Sequence, residues 1–154
     1  MRARQLTVSD CQAVADLETQ LFYGRFNAAD LCAFLSKPAF YGAVLPAPDM
    51  PTIIHAYCLA YITSMQADII AIGTEKTKQG CGFGQIILRQ LIDVTTQHGV
   101  AEITLEVAAD NTPARRLYDS CGFCVSGIRK NYYYRGENRC DALIMVRQIG
   151  SAFS

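Results

Sequence analysis

The chain has no tryptophan, only two histidines (His55 and His98), and no excess of either charge: fourteen Lys and Arg stand against fourteen Asp and Glu in 154 residues. A balanced charge gives no footing for wholesale electrostatic binding to nucleic acid or to a membrane surface. No apolar run reaches the roughly 20 residues needed to span a bilayer. The longest candidate, "IIHAYCLAYI" (53–62), is short and carries Tyr and His. The start, "MRARQLTVSD", has no apolar core of a secretory signal, so a cytoplasmic protein is expected. Without export, seven cysteines are an odd number and a poor disulfide framework. They read as small apolar residues in a reducing compartment. Cys121 and Cys124 form a C-x-x-C, but no second ligand pair stands at zinc spacing. The pair also lies where a helix ends, not at the helix start that a redox pair needs. No metal site is expected.

What is present is ordinary globular material: 51% hydrophobic and 18% charged residues. That suffices for one domain over residues 1–150, with a short tail at 151–154. "RQLTV" reads as a first strand. Ser9 is a candidate helix cap, with Gln12 three residues on. Val14, Leu17, Leu21 and Phe22 then form an apolar stripe. Asn27 is a second candidate cap, for a helix that stops before Pro38. "FYGAVL" and "TIIHAYCLAYI" read as strands around a proline-rich turn. "ADIIAIGT" is apolar on both faces and so central in a sheet. "FGQIILRQLIDVTTQHG" is a helix with Ile87, Leu88, Leu91, Ile92 and Thr95 on one side and Gly99 ending it. "AEITLEV" is a strand, "TPARRLYDSCG" a short helix with Pro113 near its start, and two last strands flank the polar turn "RGENR". The order β-α-α-β-β-β-α-β-α-β-β predicts an α/β (α+β) domain. Its mixed, mostly antiparallel twisted sheet has about seven strands, with about four helices on both faces and one parallel step.

The stretch "KQGCGFGQ" sets Gly80, Gly82 and Gly84 directly before a helix. A dinucleotide fingerprint starting at Gly80 needs glycine at 85, where Gln85 stands; a Walker loop needs Gly-Lys-Ser/Thr, which is missing. A glycine-lined helix start still suits a pyrophosphate, because its backbone N–H groups lack internal partners and the helix dipole is positive there. A tight turn with no ligand is the alternative.

Residues 79–84, Gln-Gly-Cys-Gly-Phe-Gly, match Q/R-x-x-G-x-G/A, and "LEVAADNTPARRLYDSCGF", "IRKNYYY" and "DALIMV" follow in order. This set resembles the GNAT superfamily of N-acetyltransferases, closest to the RimI branch that acetylates the N-terminal alanine of a small-subunit ribosomal protein. The match is dense from Ile69 to Val146, about half the chain; earlier residues agree only in element pattern. The resemblance implies a GNAT fold and acetyl-CoA as cosubstrate, with Gln79, Gly80, Cys81, Gly82, Phe83, Gly84 and Gln85 cradling its pyrophosphate. Lys76 or Lys78 could assist, since basic residues usual in RimI-type loops are replaced by Gly80 and Gln85. Backbone groups of Ile72, Gly73 and Thr74 would pair with the pantetheine arm and polarise the thioester carbonyl. In that role side-chain identity carries little information. Asn111 resembles the asparagine that bonds the same arm, and it can equally cap a helix. Glu106 corresponds to the family base, although a solvated strand face also suits it. Tyr118 corresponds to the acid that protonates the leaving thiolate, although a core tyrosine would read the same. Tyr132 and Tyr133 match a pair lining the peptide groove or simply cover a core. Arg129, Lys130, Arg135 and Arg139 read as a solvated face. The region "LFYGRFNAAD" lacks the tryptophan common in RimI-type sequences, which loosens the acceptor assignment.

The implied reaction is acetyl transfer to a protein N-terminus by direct attack, in a monomer or weak dimer with no direct nucleic-acid or membrane partner. Two alternatives stand beside it. One is an acetyltransferase for a small amine or lysine side chain; the other is a non-catalytic acyl-CoA binding module.

Overall fold

The structure, a computed structural model, describes residues 1–22 and 24–150, so the expected tail lies outside the described residues. The elements follow the expected order. They are β1 (Arg4–Gln5), α1 (Cys11–Phe22), α2 (Ala28–Leu35), β2 (Phe40–Pro46), β3 (Ile54–Ile62), β4 (Gln66–Thr74), α3 (Phe83–Gln97), β5 (Glu102–Ala108), α4 (Thr112–Ser120), β6 (Cys124–Arg135) and β7 (Asn138–Gln148). One sheet runs β1-β2-β3-β4-β5-β7-β6. Among the described residues only β4 and β5 pair in parallel, across the α3 crossover; the other neighbours are antiparallel. β4 is central, as its sequence predicts, although Asp68 within it is exposed.

Side-chain alternation divides the core between the two faces of the sheet. Ala43, Leu45, Cys58 and Ala60 pack with α3 and α4. Their neighbours Val44, Tyr57 and Leu59 pack with α1 and α2. On α3, Ile87, Leu88 and Leu91 are fully buried, each contributing roughly 1.5–3 kcal/mol. Gly99 ends that helix at φ 70°, as its position predicts. Asn27 caps α2 through Asp30 N–H.

The N-terminus corrects the expectation. β1 stops at Gln5, a 3-10 turn over Val8–Asp10 leads into α1, and the cap of that turn is Thr7, not Ser9. Asp10, not Gln12, completes the box by accepting the Thr7 N–H at 2.8 Å. Arg4 decides this: its guanidinium holds both Asp10 oxygens, at 2.7 and 2.9 Å, so Asp10 is fixed where it can face Thr7.

β4 and β5 part company early. Their pairing runs only from Gln66–Glu102 to Asp68–Thr104. Just beyond, Ala60 pairs with Ile69 but Leu59 with Ala71, so Ile70 is an extra residue in β4. A bulge of this kind bends the strand and increases its twist. Residues 69–74 and 105–108 therefore diverge, and the sheet opens between its two central strands.

Candidate active site

The opening is a cleft of about 840 Å³. Ile69 to Ile72 form one wall and Leu105 to Ala108 the other; Asn111 at the start of α4, Tyr118 of α4, Tyr133 of β6, and Leu21, Phe22 and Arg25 from the α1 side complete it. Leu21 and Phe22 end the apolar stripe of α1, so that stripe serves both core and cleft.

Glu106 sits between buried Leu105 and Val107, on the opposite face of β5, with its side chain 32% exposed. Its Oε1 meets Arg129 Nε at 3.0 Å. Tyr118 comes from α4 on the other side of the sheet and is 5% exposed. Its ring packs on Phe123, centroids 5.9 Å apart. Burial pushes the Tyr118 phenol well above its ordinary range, with the neighbouring Cys58 and Tyr133 adding to the effect. The cleft thus brings the two candidate catalytic residues together from opposite faces of one sheet.

Asn111 stands where a helix cap and the cleft meet. It caps α4, its Oδ1 accepting the Ala114 N–H at 3.3 Å, and it lines the cleft. That bond uses the oxygen and leaves the amide nitrogen as a donor.

The three loop glycines divide their work. Gly80 and Gly82 have φ of 80° and 83°, where side chains are strained, and a Cβ on either would meet nothing within 4 Å. Gly82 is the left-handed N-cap of α3 and makes no side-chain cap bond. Their backbone faces open space at an uncapped helix start, which suits an anion. Gly84 is different: a Cβ there would stand 2.9 Å from Leu117 Cδ2. It lets α3 lie close against α4. Gln79 closes the loop by donating Nε2 to Thr74 O at 3.0 Å. Gln85 reaches Ser120 Oγ at 3.2 Å, and Cys81 is exposed. Phe83 stacks on His55, whose Nδ1 meets Glu75 Oε2 at 3.0 Å. His55 thereby ties the loop to β3, a contact that no motif announces.

Ile72 lines the cleft, and Thr74 ends β4. Gly73 proves more informative than expected. A Cβ there would press to 2.8 Å on both Tyr57 Cε1 and Leu21 Cδ1, so packing under the cleft requires glycine.

Tyr133 lines the cleft and Tyr132 does not; Tyr134 does. The cause is a bulge in β6. Arg129 pairs with Ala142 and Tyr133 with Cys140, so β6 carries extra residues, with Asn131 at φ 54° among them. Asp141 holds the bulge through the Asn131 N–H at 2.9 Å. Tyr132 is 48% exposed and meets Tyr133 edge-on at 5.2 Å. Arg129, Lys130, Arg135 and Arg139 are exposed, and the three arginines also meet aromatic rings. Arg129, Arg135 and Arg139 lie over the rings of Tyr132, Tyr133 and Tyr134, at 5.5, 5.6 and 4.2 Å. Arg135 also pairs with Asp110 at 3.2 Å.

The acetyltransferase (GNAT) family profile matches residues 12–123. The chain is 37% identical over 94 residues to the [ribosomal protein bS18]-alanine N-acetyltransferase of Escherichia coli K12. That match takes in 61% of this chain and 64% of the relative, so the chain spans just under two-thirds of the length of the curated relatives it matches there. It is 33% identical over 151 residues to N-alpha-acetyltransferase RimI of Mycobacterium tuberculosis, covering 94% of this chain and 90% of that one. Among solved structures, the ribosomal-protein-S18-alanine N-acetyltransferase of Escherichia coli superposes with TM-score 0.86 at 27% identity, over 97% of this chain and 94% of that one.

Proposed function

Because the chain belongs to the GNAT acetyltransferase family, we propose that it transfers an acetyl group from acetyl-CoA to the N-terminal α-amino group of a protein. The acceptor we propose is the N-terminal alanine of ribosomal protein bS18, the substrate named for its relatives. The observation that carries the reading is the cleft between β4 and β5, which exposes Glu106 and Tyr118 to one space.

The chemistry follows from what each group can do. The pyrophosphate of acetyl-CoA fits the open backbone of Gly80 and Gly82 at the start of α3. From there the pantetheine arm runs between the splayed strands, past Ile72 to Thr74, with Asn111 donating to it from α4. Glu106 takes the proton of the incoming ammonium, directly or through a water, because an ammonium has no lone pair to attack with. The amine nitrogen bonds to the thioester carbonyl carbon. Backbone N–H groups of β4 stabilise the negative oxygen that develops. The C–S bond then breaks and Tyr118 gives its proton to the departing thiolate; the nitrogen, cationic after attack, loses its second proton and so restores the phenol in net, while Glu106 releases its proton to solvent. Burial keeps that phenol protonated and so available as an acid. Tyr133 and Arg25 bound the acceptor end.

The experiment is incubation of the protein with acetyl-CoA and short peptides beginning with Ala, Ser, Met or acetyl-blocked Ala, alongside a polyamine. Acetylation of free N-termini led by Ala is expected, with the blocked peptide inert. Acetylation of the polyamine alone would replace this reading with a small-amine acetyltransferase. Coenzyme binding with no turnover on any acceptor would leave an acyl-CoA binding module.

A further inference from the structure

Arg25 is a cleft residue that no motif points to. It lies between α1 and α2, where the chain turns through Gly24 at φ 75°. Its Nε and Nη2 donate to Glu18 Oε2 and Oε1, at 3.1 and 2.8 Å. Glu18 is 0% exposed, sunk within the apolar stripe of α1. Its Oε1 also accepts the hydroxyl of Tyr57, on β3, at 2.6 Å. A carboxylate so deeply buried is tolerable only when paired and hydrogen-bonded, and here partners from two separate elements meet it. The guanidinium lies over the Phe22 ring at 4.4 Å and the Phe26 ring at 5.7 Å. A bidentate carboxylate and two aromatic faces fix both its position and its plane.

The Glu18 contacts occupy one edge of the guanidinium. Nη1 is on the other side, and Arg25, 46% exposed, lines the cleft beside Glu106, Tyr118 and Tyr133. Glu18 has already neutralised the charge. What Arg25 offers the cleft is therefore a rigid N–H donor with little net charge, which suits a neutral carbonyl oxygen better than a second carboxylate.

We infer that Arg25 Nη1 donates a hydrogen bond to the first peptide carbonyl of the acceptor, so that the cleft distinguishes a protein N-terminus from a simple amine. This rests on the acetyl-transfer reading above. A peptide carries that carbonyl carbon a fixed two bonds from the attacking nitrogen, and a polyamine has no such carbonyl. Glu18 and Tyr57 act through Arg25 as positioning residues.

The test compares an alanine-led tetrapeptide with the same peptide whose first amide is replaced by a trans-alkene, using wild type and Arg25→Lys. Lysine keeps a cation for Glu18, and the thermal midpoint confirms folding. Loss of one hydrogen bond to this charge-compensated donor predicts that wild-type kcat/KM falls about 3- to 10-fold on the alkene. Arg25→Lys should fall similarly on the natural peptide and barely further on the alkene, with KM for acetyl-CoA unchanged. Two losses that simply multiply, or wild type treating both peptides alike, would overturn the inference while leaving acetyl transfer intact. The wild-type comparison stands whatever the variant's stability. Failure of wild type to acetylate the natural peptide would instead overturn the reading on which the inference rests, and the inference with it.

Discussion

Arg129 Nε lies 3.0 Å from Glu106 Oε1, so a guanidinium from the edge strand occupies the carboxylate proposed as the base for an incoming ammonium. The two cations compete for one group. In the same position the Arg129 guanidinium also lies over the Tyr132 ring, 5.5 Å from its centroid.

Glu106→Gln should therefore lower kcat/KM by about 10²- to 10⁴-fold, the usual range for losing a general base. KM for acetyl-CoA should hold. The pair is partly exposed on both sides, so stability should change by no more than about 1 kcal/mol. Arg129→Gln should lower the acceptor KM by removing the competitor. Steady-state kinetics with both substrates varied checks each; undiminished turnover by Glu106→Gln would end its assignment as base.

Tyr118→Phe keeps the ring against Phe123 and deletes the hydroxyl proposed as the acid. Turnover should fall about 10²- to 10⁴-fold with little change in thermal midpoint. Since burial raises the phenol's pKa, wild type should lose no activity through Tyr118 ionisation up to roughly pH 10. A pH–rate profile whose alkaline limb at lower pH vanishes in the Phe variant would contradict this.

Much of this architecture was legible in sequence. Element order, the parallel step, the Asn27 cap and the αL glycine at 99 follow from period, caps and breakers, which are local signals. The motif residues Glu106, Asn111, Tyr118 and Tyr133 converge on one cleft for the same reason: short motifs travel with short elements. What sequence could not show was set by register and by pairing at a distance. The β4 bulge at Ile70 opens the cleft, and the β6 bulge turns Tyr133 into it and Tyr132 out; neither leaves a periodic trace. Glu18 drew no notice beside the apolar stripe of α1, and its partners Arg25 and Tyr57 appear only in three dimensions. The shift of the first cap from Ser9 to Thr7 likewise depends on Arg4, a residue outside the helix.

The loop glycines should separate by experiment. Gly82→Ala puts a side chain at φ 83° with open space around it. The strain is about 1–2 kcal/mol, and the loop can relieve it by moving. The expected result is a raised KM for acetyl-CoA with a modest loss of stability. Gly84→Ala instead drives a methyl to 2.9 Å from Leu117. Overpacking of that kind costs about 1–3 kcal/mol. Leu117→Ala in the same chain should recover part of the thermal midpoint, while it should not restore KM in Gly82→Ala. Calorimetry and acetyl-CoA titration distinguish the two.

Asp10 should make acid stability measurable at one site. Its side chain is 5% exposed and accepts from Arg4 twice and from the Thr7 N–H. The Arg4 hydrogen bond, opposed by burial and helped by Thr7, lowers its pKa below the ordinary 3.8. The unfolded chain thus takes up this proton first as pH falls. The contribution is complete above the unfolded pKa and disappears as pH drops through the lower, folded one. With Arg4 39% exposed, it amounts to about 1–2 kcal/mol. Asp10→Asn should therefore lower the thermal midpoint at neutral pH, and the gap to wild type should close once the pH passes below the folded pKa. A gap that stays constant into strong acid would mean that the residue acts through packing and not through its charge.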